Sequence, residues 1–354
     1  MKLSCVIPTK NRAPFVKELL CSLRDQLLDG VEVVVIDNDD GKETEQCVRS
    51  FGSLVRYVRT GGLPMIENWN RALSESQGDY TLLIEDKMHV RPGALKAIVR
   101  ELERTQAPLL TWRASSGGRA GSNNGTFSEK SISVSSFEII RNALLGGWKT
   151  FNRQAPKGLN CAISTQLILD VKRALNRPVC RAVCPDYTLA FTLLQQCSEV
   201  RHFDAVLYGF EVSAPSQGKD MLVKKDAPSD VARKLGCSEQ QFWSMVPVKY
   251  LSVNNIIYND MFNCLSEFGN FREEAVCWNS YYLELIDELG LMNLSGGNVS
   301  QECSLLREAL GKRGVLFKAQ LMKRAIHDFS WQVRMPSMKG AAVNKLKFRL
   351  KFTL

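Results

Sequence analysis

YTLLIEDKMHVRPGALKAI, residues 80–98, decides the fold. An apolar run from Tyr80 to Ile84 breaks abruptly into Glu85-Asp86-Lys87. Pro92 then stands at a helix start, and Ala94, Ile98 and Leu102 recur at helical spacing behind it. A buried strand, a polar break and an amphipathic helix make one βα unit. The same unit repeats upstream. Leu3 to Pro8 and Val31 to Asp37 are apolar runs, each followed by a polar cluster, and Leu54 to Val58 and Leu109 to Trp112 add two more short strands. Phe15, Leu19, Leu20, Leu23 and Leu27 form the intervening helical stripe. Such βαβα order predicts an α/β fold whose mostly parallel sheet carries helices on both faces.

Open parallel sheets bind ligands outside the carboxyl ends of their strands, so the polar clusters at those ends are where chemistry belongs. Three clusters are expected to share one rim: Pro8-Thr9-Lys10-Asn11-Arg12, Asp37-Asn38-Asp39-Asp40-Gly41 and Glu85-Asp86-Lys87. Other nucleotide chemistries lack their signatures. No G-x-G-x-x-G or Walker loop follows the first strand, there is no G-x-S-x-G elbow, and no Gly-rich loop of a sugar-nucleotide pyrophosphorylase is present.

Composition narrows the setting. The chain has 354 residues, 45% hydrophobic and 23% charged, enough for one large core plus an appendage. It contains no apolar run of membrane-spanning length, and MKLSCVIPTKNR reaches a proline and charges too early for a secretory signal, so a cytoplasmic protein is expected. Eleven scattered cysteines read as reduced thiols; Cys180 and Cys184 form the closest pair, but with three histidines in the chain a closed zinc site is not expected. Of the net charge of +9, residues 312–354 hold eleven Lys/Arg against one acid, which leaves the body at −1. Nucleic-acid binding by the body is therefore not expected. Within the tail, Lys345, Lys347, Arg349 and Lys351 alternate with Leu346, Phe348, Leu350 and Phe352. As a strand this pattern segregates into a basic and an apolar face, suited to an anionic membrane surface.

Between these parts, SSGGRAGSNNG (115–125) lacks periodicity and reads as a surface loop or a lid. Cys161 to Ile168, Pro185 to Leu194 and Ala205 to Tyr208 extend the α/β domain to residue 219. Helical spacing, with Tyr281, Leu283, Ile286 and Leu289, marks 220–311, and the basic tail occupies 312–354.

Three stretches, CVIPTKNRAPFVKELLCSL (5–23), VEVVVIDNDD (31–40) and ENWNRALSESQGDYTLLIEDKMHVRPGAL (67–95), together resemble the nucleotide-binding half of family 2 glycosyltransferases with the GT-A fold. The resemblance covers residues 1–115 well and continues loosely to 218. It implies a nucleotide-sugar donor contacted by Pro8, Thr9, Asn11, Arg12, Asp37 and Asn38, with Asp37 accepting a hydrogen bond from the imide of a uracil. Asn70 and Arg71 are implied near the nucleotide, Arg71 as a fork for the diphosphate. Glu85, Asp86 and Lys87 stand where members carry an Asp-x-Asp motif. A divalent cation (Mg²⁺ or Mn²⁺) is usual there, but Lys87 occupies the metal-ligand position, so the resemblance with this departure implies a metal-independent enzyme and no cofactor. Asp186, in Cys184-Pro185-Asp186-Tyr187, matches the general base of an inverting transfer, with Pro185 in place of the usual Glu. Ser213, Ser216, Gln217 and Gly218 match a run that closes over the diphosphate. The implied acceptor is a glycan or a lipid-linked glycan, with the enzyme peripheral on the inner membrane surface. The competing reading is a non-catalytic GT-A-like protein that docks to an anionic membrane or RNA through its tail.

Overall fold

A computed structural model describes residues 1–116, 130–181, 183–210, 230, 232–233, 238–333, 345–346, 348–350 and 352. The first half alternates β1 (Leu3–Thr9), α1 (Ala13–Arg24), β2 (Val31–Asp37), α2 (Glu43–Arg49), β3 (Val55–Arg59), α3 (Met65–Glu75), β4 (Tyr80–Leu83), β5 (Met88–Val90), α4 (Ala94–Thr105) and β6 (Leu109–Ser116). β7 (Ser131–Ser135), α5 (Ser136–Leu144), α6 (Trp148–Gln154), β8 (Cys161–Ser164), α7 (Thr165–Leu175), α8 (Pro185–Leu194) and β9 (Glu199–Phe210) follow. Helices α9 (Val253–Glu267), α10 (Trp278–Leu294), α11 (Ser300–Gly311) and α12 (Gly314–Val333) make the C-terminal region.

One sheet joins all these strands in the order β3-β2-β1-β4-β8-β6-β9-β5, with β7 on β9. The first four are mutually parallel, as the βα repeats require, and antiparallel pairings enter at β8, β5 and β7. Parallel pairing fixes the position of the rim. Thr9 lies opposite Asp37, and Val6 opposite Leu83, so the polar clusters after β1, β2 and β4 leave the sheet on the same edge. Alternate residues serve two cores: Val6, Val34, Ile36 and Leu83 point to one, and Cys5, Ile7, Val33, Val35 and Leu82 to the other. Burial on both faces is why these strands read as continuous apolar runs.

Several boundaries differ from the sequence reading. β4 ends at Leu83 rather than Ile84, because the chain turns there to let Met88–Val90 pair with β9. Ser115 and Ser116 end β6 instead of opening a loop, while 117–125 and the 213–218 run lie outside the described residues. Thr165 begins a helix, capped by the Ser164 side chain accepting from Leu167 N–H at 3.2 Å, so Cys161 to Ile168 divides into strand and helix.

The C-terminal helices share the first core. Phe191 stacks on Phe151 at 4.9 Å between centroids, Trp148 meets Tyr258 edge-on at 5.1 Å, and Tyr258 meets Tyr281 at 5.0 Å, an aromatic chain from α8 and α6 through α9 to α10. The described residues of 345–352 are helical, which corrects the strand expected from their alternation. Helical spacing puts Lys345 and Arg349 on one face, and both pair with Asp287 at 2.8 Å. Phe352 is buried under Arg307. This segment is folded onto α10 and α11.

Glu288 of α10 fastens the start of α9. Its carboxylate accepts the Val253 N–H at 2.8 Å and the Asn254 N–H at 3.1 Å. Burial pushes its carboxyl up to about 7, against the pull of Ser252 and these N–H groups. Because the folded value lies above the unfolded one, this group's stabilisation is fully present below about pH 4.5 and is lost as pH rises through about 7. Raising pH from 5 to 8 is therefore expected to cost on the order of 2–3 kcal/mol through Glu288, and Glu288→Gln to remove that part of the slope. Urea unfolding at the two pH values checks this; an unchanged slope in the variant contradicts it.

Candidate active site

A cleft of about 730 Å³ opens at the carboxyl rim of β1, β2 and β4, and α3, α8 and α9 close its far side. Pro8, Thr9, Asn11, Arg12, Asn38, Glu85, Asp86, Lys87 and Asp186 all line it, so nine of the twelve expected site residues that lie among the described residues meet in one place.

Asp86 organises the floor. It is 2% exposed, accepts the Thr9 hydroxyl at 2.8 Å and pairs with Arg12 at 3.1 Å. Burial raises its carboxyl above the ordinary value, and Arg12 and Thr9 oppose that rise. Beside it, Lys87 Nζ lies 2.9 Å from Glu85, whose carboxyl is likewise raised by burial and pulled back by Lys87. Each acid of the cluster thus has its own cation, with which a divalent metal at the diphosphate would have to compete for the carboxylate. Among the described residues, no group of three His, Cys, Asp or Glu side chains is arranged to hold one.

Asn11 shapes the rim from a left-handed conformation, φ +55°, which Asn tolerates better than most residues. Its backbone N–H donates to Asp39, and its side chain donates to Asp40 at 2.9 Å and accepts from Asp40 N–H at 3.0 Å. Asn38 is locked by two bonds to Leu63, donating at 2.7 Å and accepting at 2.9 Å.

Across the cleft, Asp186 sits in the first turn of α8, started by Pro185 at a position where proline costs no hydrogen bond. Burial lifts its carboxyl above the usual Asp value; the Lys157 ammonium and the N–H groups of Tyr187 and Asp186 pull it back. No side-chain donor among the described residues holds the carboxylate, which leaves it available as a base. Lys157 is itself lowered by burial and held up by Asp186; its Nζ lies 5.3 Å from the Tyr187 ring and 3.1 Å from Asn152 Oδ1.

Three expected site residues lie elsewhere. Asp37 is fully buried and turned from the cleft, accepting the Tyr57 hydroxyl at 2.6 Å and the Asp39 N–H at 2.8 Å. Asn70 ties α3 to the segment before α8, donating to Cys180 O and accepting from Cys180 N–H, both at 2.9 Å. Arg71 is an exposed helix charge paired with Glu75 at 2.6 Å, one turn along α3.

Other contributors escaped the sequence reading. Trp69 and Asn68, within the quoted ENWNR, line the cleft, as do Leu159, Tyr187, Val253 and Ile257. Gly158, at φ +77°, makes the turn before Leu159; a Cβ there would meet Leu189 at 2.9 Å and Leu83 at 3.0 Å. Lys157 carried no motif, only its place between Pro156 and Gly158.

Asp260, in the middle of α9, also escaped the sequence reading. It is 1% exposed and accepts the N–H groups of Val183 and Cys184 at 2.7 and 2.8 Å, fixing the backbone that enters α8. Burial holds its carboxyl well above the ordinary value despite those donors. Asp260→Leu leaves two buried N–H groups unpaired and is expected to cost about 2–4 kcal/mol, whereas Asp260→Asn keeps an acceptor oxygen and costs under about 1 kcal/mol. Urea midpoints decide this; equal losses in both variants contradict it.

Comparison with known proteins bears on the family and the fold. Residues 4–163 match the profile of Glycosyl transferase family 2. Uncharacterized glycosyltransferase YwdF of Bacillus subtilis is 27% identical over 128 residues, 34% of this chain and 47% of that protein. GalNAc(5)-diNAcBac-PP-undecaprenol beta-1,3-glucosyltransferase of Campylobacter jejuni is 23% identical over 114 residues, 31% of this chain and 37% of that protein. The chain thus spans less than half the length of these curated relatives. In fold, residues 1–349 of S. aureus TarS, crystallised with UDP-GlcNAc, superpose with a TM-score of 0.52 at 14% identity, covering 99% of this chain and 91% of that one. The chain therefore resembles family 2 glycosyltransferases in the sequence of residues 4–163 and has a GT-A-like fold with a helical C-terminal region.

Proposed function

We propose that this chain is an inverting glycosyltransferase that moves a sugar from a nucleotide-sugar donor to a hydroxyl of a glycan or lipid-linked acceptor. The observation that carries the reading is the placement of Asp186, a carboxyl lifted by burial, across one cleft from the Glu85-Asp86-Lys87 turn. The acceptor oxygen attacks the anomeric carbon as the bond to the diphosphate breaks, and Asp186 takes the hydroxyl proton. The nucleoside diphosphate departs with its negative charge beside Lys87 and Arg12, cations already fixed in place, which is the kind of preorganised stabilisation a leaving group needs. A uridine nucleotide is the donor we favour, in line with the UDP-GlcNAc held by TarS. A lipid-linked acceptor accords with the printed name of the Campylobacter relative.

Asp186→Asn is expected to lower kcat about a hundredfold or more while leaving donor affinity unchanged. Near-normal turnover in a folded variant means another group is the base. NMR of the product's anomeric coupling is expected to show inversion. The pH dependence has a definite sign. Turnover rises as Asp186 loses its proton, and because Lys157 pulls that carboxyl down, Lys157→Met is expected to move the acid limb to higher pH. A limb that stays in place contradicts the pairing.

Lys87, paired with Glu85 on the cleft wall, is proposed to take over the cation's task at the diphosphate. Transfer is then expected to survive excess EDTA, and Lys87→Ala to reduce it strongly. Strict Mn²⁺ dependence of the wild type overturns this part of the proposal.

A further inference from the structure

The basic character of residues 312–354 resides partly in α12, and the surface of α12 differs from that of the last segment. Lys345 and Arg349, two of the four bases in the alternating run that drew attention in the sequence, are spent on Asp287. On α12, Leu321 and Ala325 are buried against the protein, and the opposite face is open. There Val315 is 85% exposed, Leu316 74% and Ile326 48%. Val315, Ala319, Met322 and Ile326 follow one another at intervals of four, three and four residues, which is a continuous stripe along a helix. Lys318 lies to one side of that stripe and Lys323 to the other. From Lys312 to His327 the sequence contains no acid.

Scattered exposed apolar residues are ordinary, but an aligned stripe flanked by lysines on both sides and free of acids is the arrangement of a helix lying in a lipid interface. Apolar side chains enter the acyl boundary while lysines on either flank reach the headgroups with their long stems. No helix among the described residues is long and apolar enough to cross a membrane, so a helix of this kind lies on the surface.

We propose that the outer face of α12 docks this protein on an anionic lipid surface, with Val315, Leu316 and Ile326 inserted and Lys318 and Lys323 on the headgroups. The occupant is identified by charge. A second copy of this chain would bring the same positive face, whereas an anionic bilayer offers both the apolar layer and the opposite charge. The contact is independent of the glycosyl-transfer reading, since no residue of α12 lines the cleft.

The test is co-sedimentation of the full chain with vesicles of phosphatidylcholine alone and of phosphatidylcholine with phosphatidylglycerol, at low and at physiological salt. Binding is expected on the anionic vesicles and to fall with salt. Lys323→Gln is expected to weaken it about fivefold, the scale of one lysine near an anionic surface. The double variant Val315→Ser and Ile326→Ser is expected to weaken it more than tenfold, as about two buried side chains are lost from the acyl boundary. All three positions are on the exposed side of the helix, so thermal midpoints and donor binding should match the wild type. Wild-type protein that ignores anionic vesicles, or variants that bind as well as wild type, overturn the proposal. Light scattering that shows a dimer dispersed by the double variant overturns it in favour of a second copy.

Discussion

Asp86 sets the constraint that the rest of the site obeys. A carboxylate 2% exposed must be matched by donors or be neutralised, and here the match comes from the end of a different strand: the Thr9 hydroxyl and the Arg12 guanidinium. The parallel register of β1 against β4 makes that match geometrically possible. Because the bond spans the two strand ends, it fixes the rim's width and commits Arg12 to the cleft. Glu85 and Lys87, one residue to either side, then inherit fixed positions on its wall.

The opposite wall depends on a second buried carboxylate. Asp260 holds the two peptide N–H groups that precede α8, and Glu288 holds the start of the helix that carries Asp260. Asp186 is thus positioned through a relay of carboxylate-to-backbone hydrogen bonds running from α10 to α9 to α8. The C-terminal helices are therefore part of the site's construction, and they also supply Val253 and Ile257 to the cleft. Burial raises the carboxyls of Asp86, Glu85, Asp186, Asp260 and Glu288 alike. In Asp186 that rise suits proton abstraction from a hydroxyl; in the others it is the cost of placing acceptors inside the protein.

What was legible in the sequence was what parallel strands impose. A strand buried on both faces has to be apolar throughout, and its polar successor has to emerge at the carboxyl rim. Pro8 to Arg12 and Glu85 to Lys87 could therefore be located from residues alone. Asp37 and Arg71 are not part of the cleft's lining, because residue type and family position give the element but not the direction of the side chain: Tyr57 holds Asp37 at 2.6 Å, and Glu75 holds Arg71 along the helix surface. Lys157 and Asp260 act on Asp186 across long separations in sequence, through contacts that no local spacing records. The tail misled for a related reason. Alternation predicts two faces of a strand, but Asp287 and the helical spacing of Lys345 and Arg349 make a better partner than solvent.

The central claim is that Lys87 and Arg12, and not Arg71, face an anionic nucleotide in this cleft. Calorimetric titration of uridine diphosphate into the wild type, Lys87→Ala and Arg71→Ala tests it most directly. Saturable binding by the wild type, about tenfold or weaker binding by Lys87→Ala and wild-type affinity in Arg71→Ala is the expected result, as loss of one charge-assisted contact would give. Equal affinity in the wild type and Lys87→Ala, or a loss confined to Arg71→Ala, contradicts it.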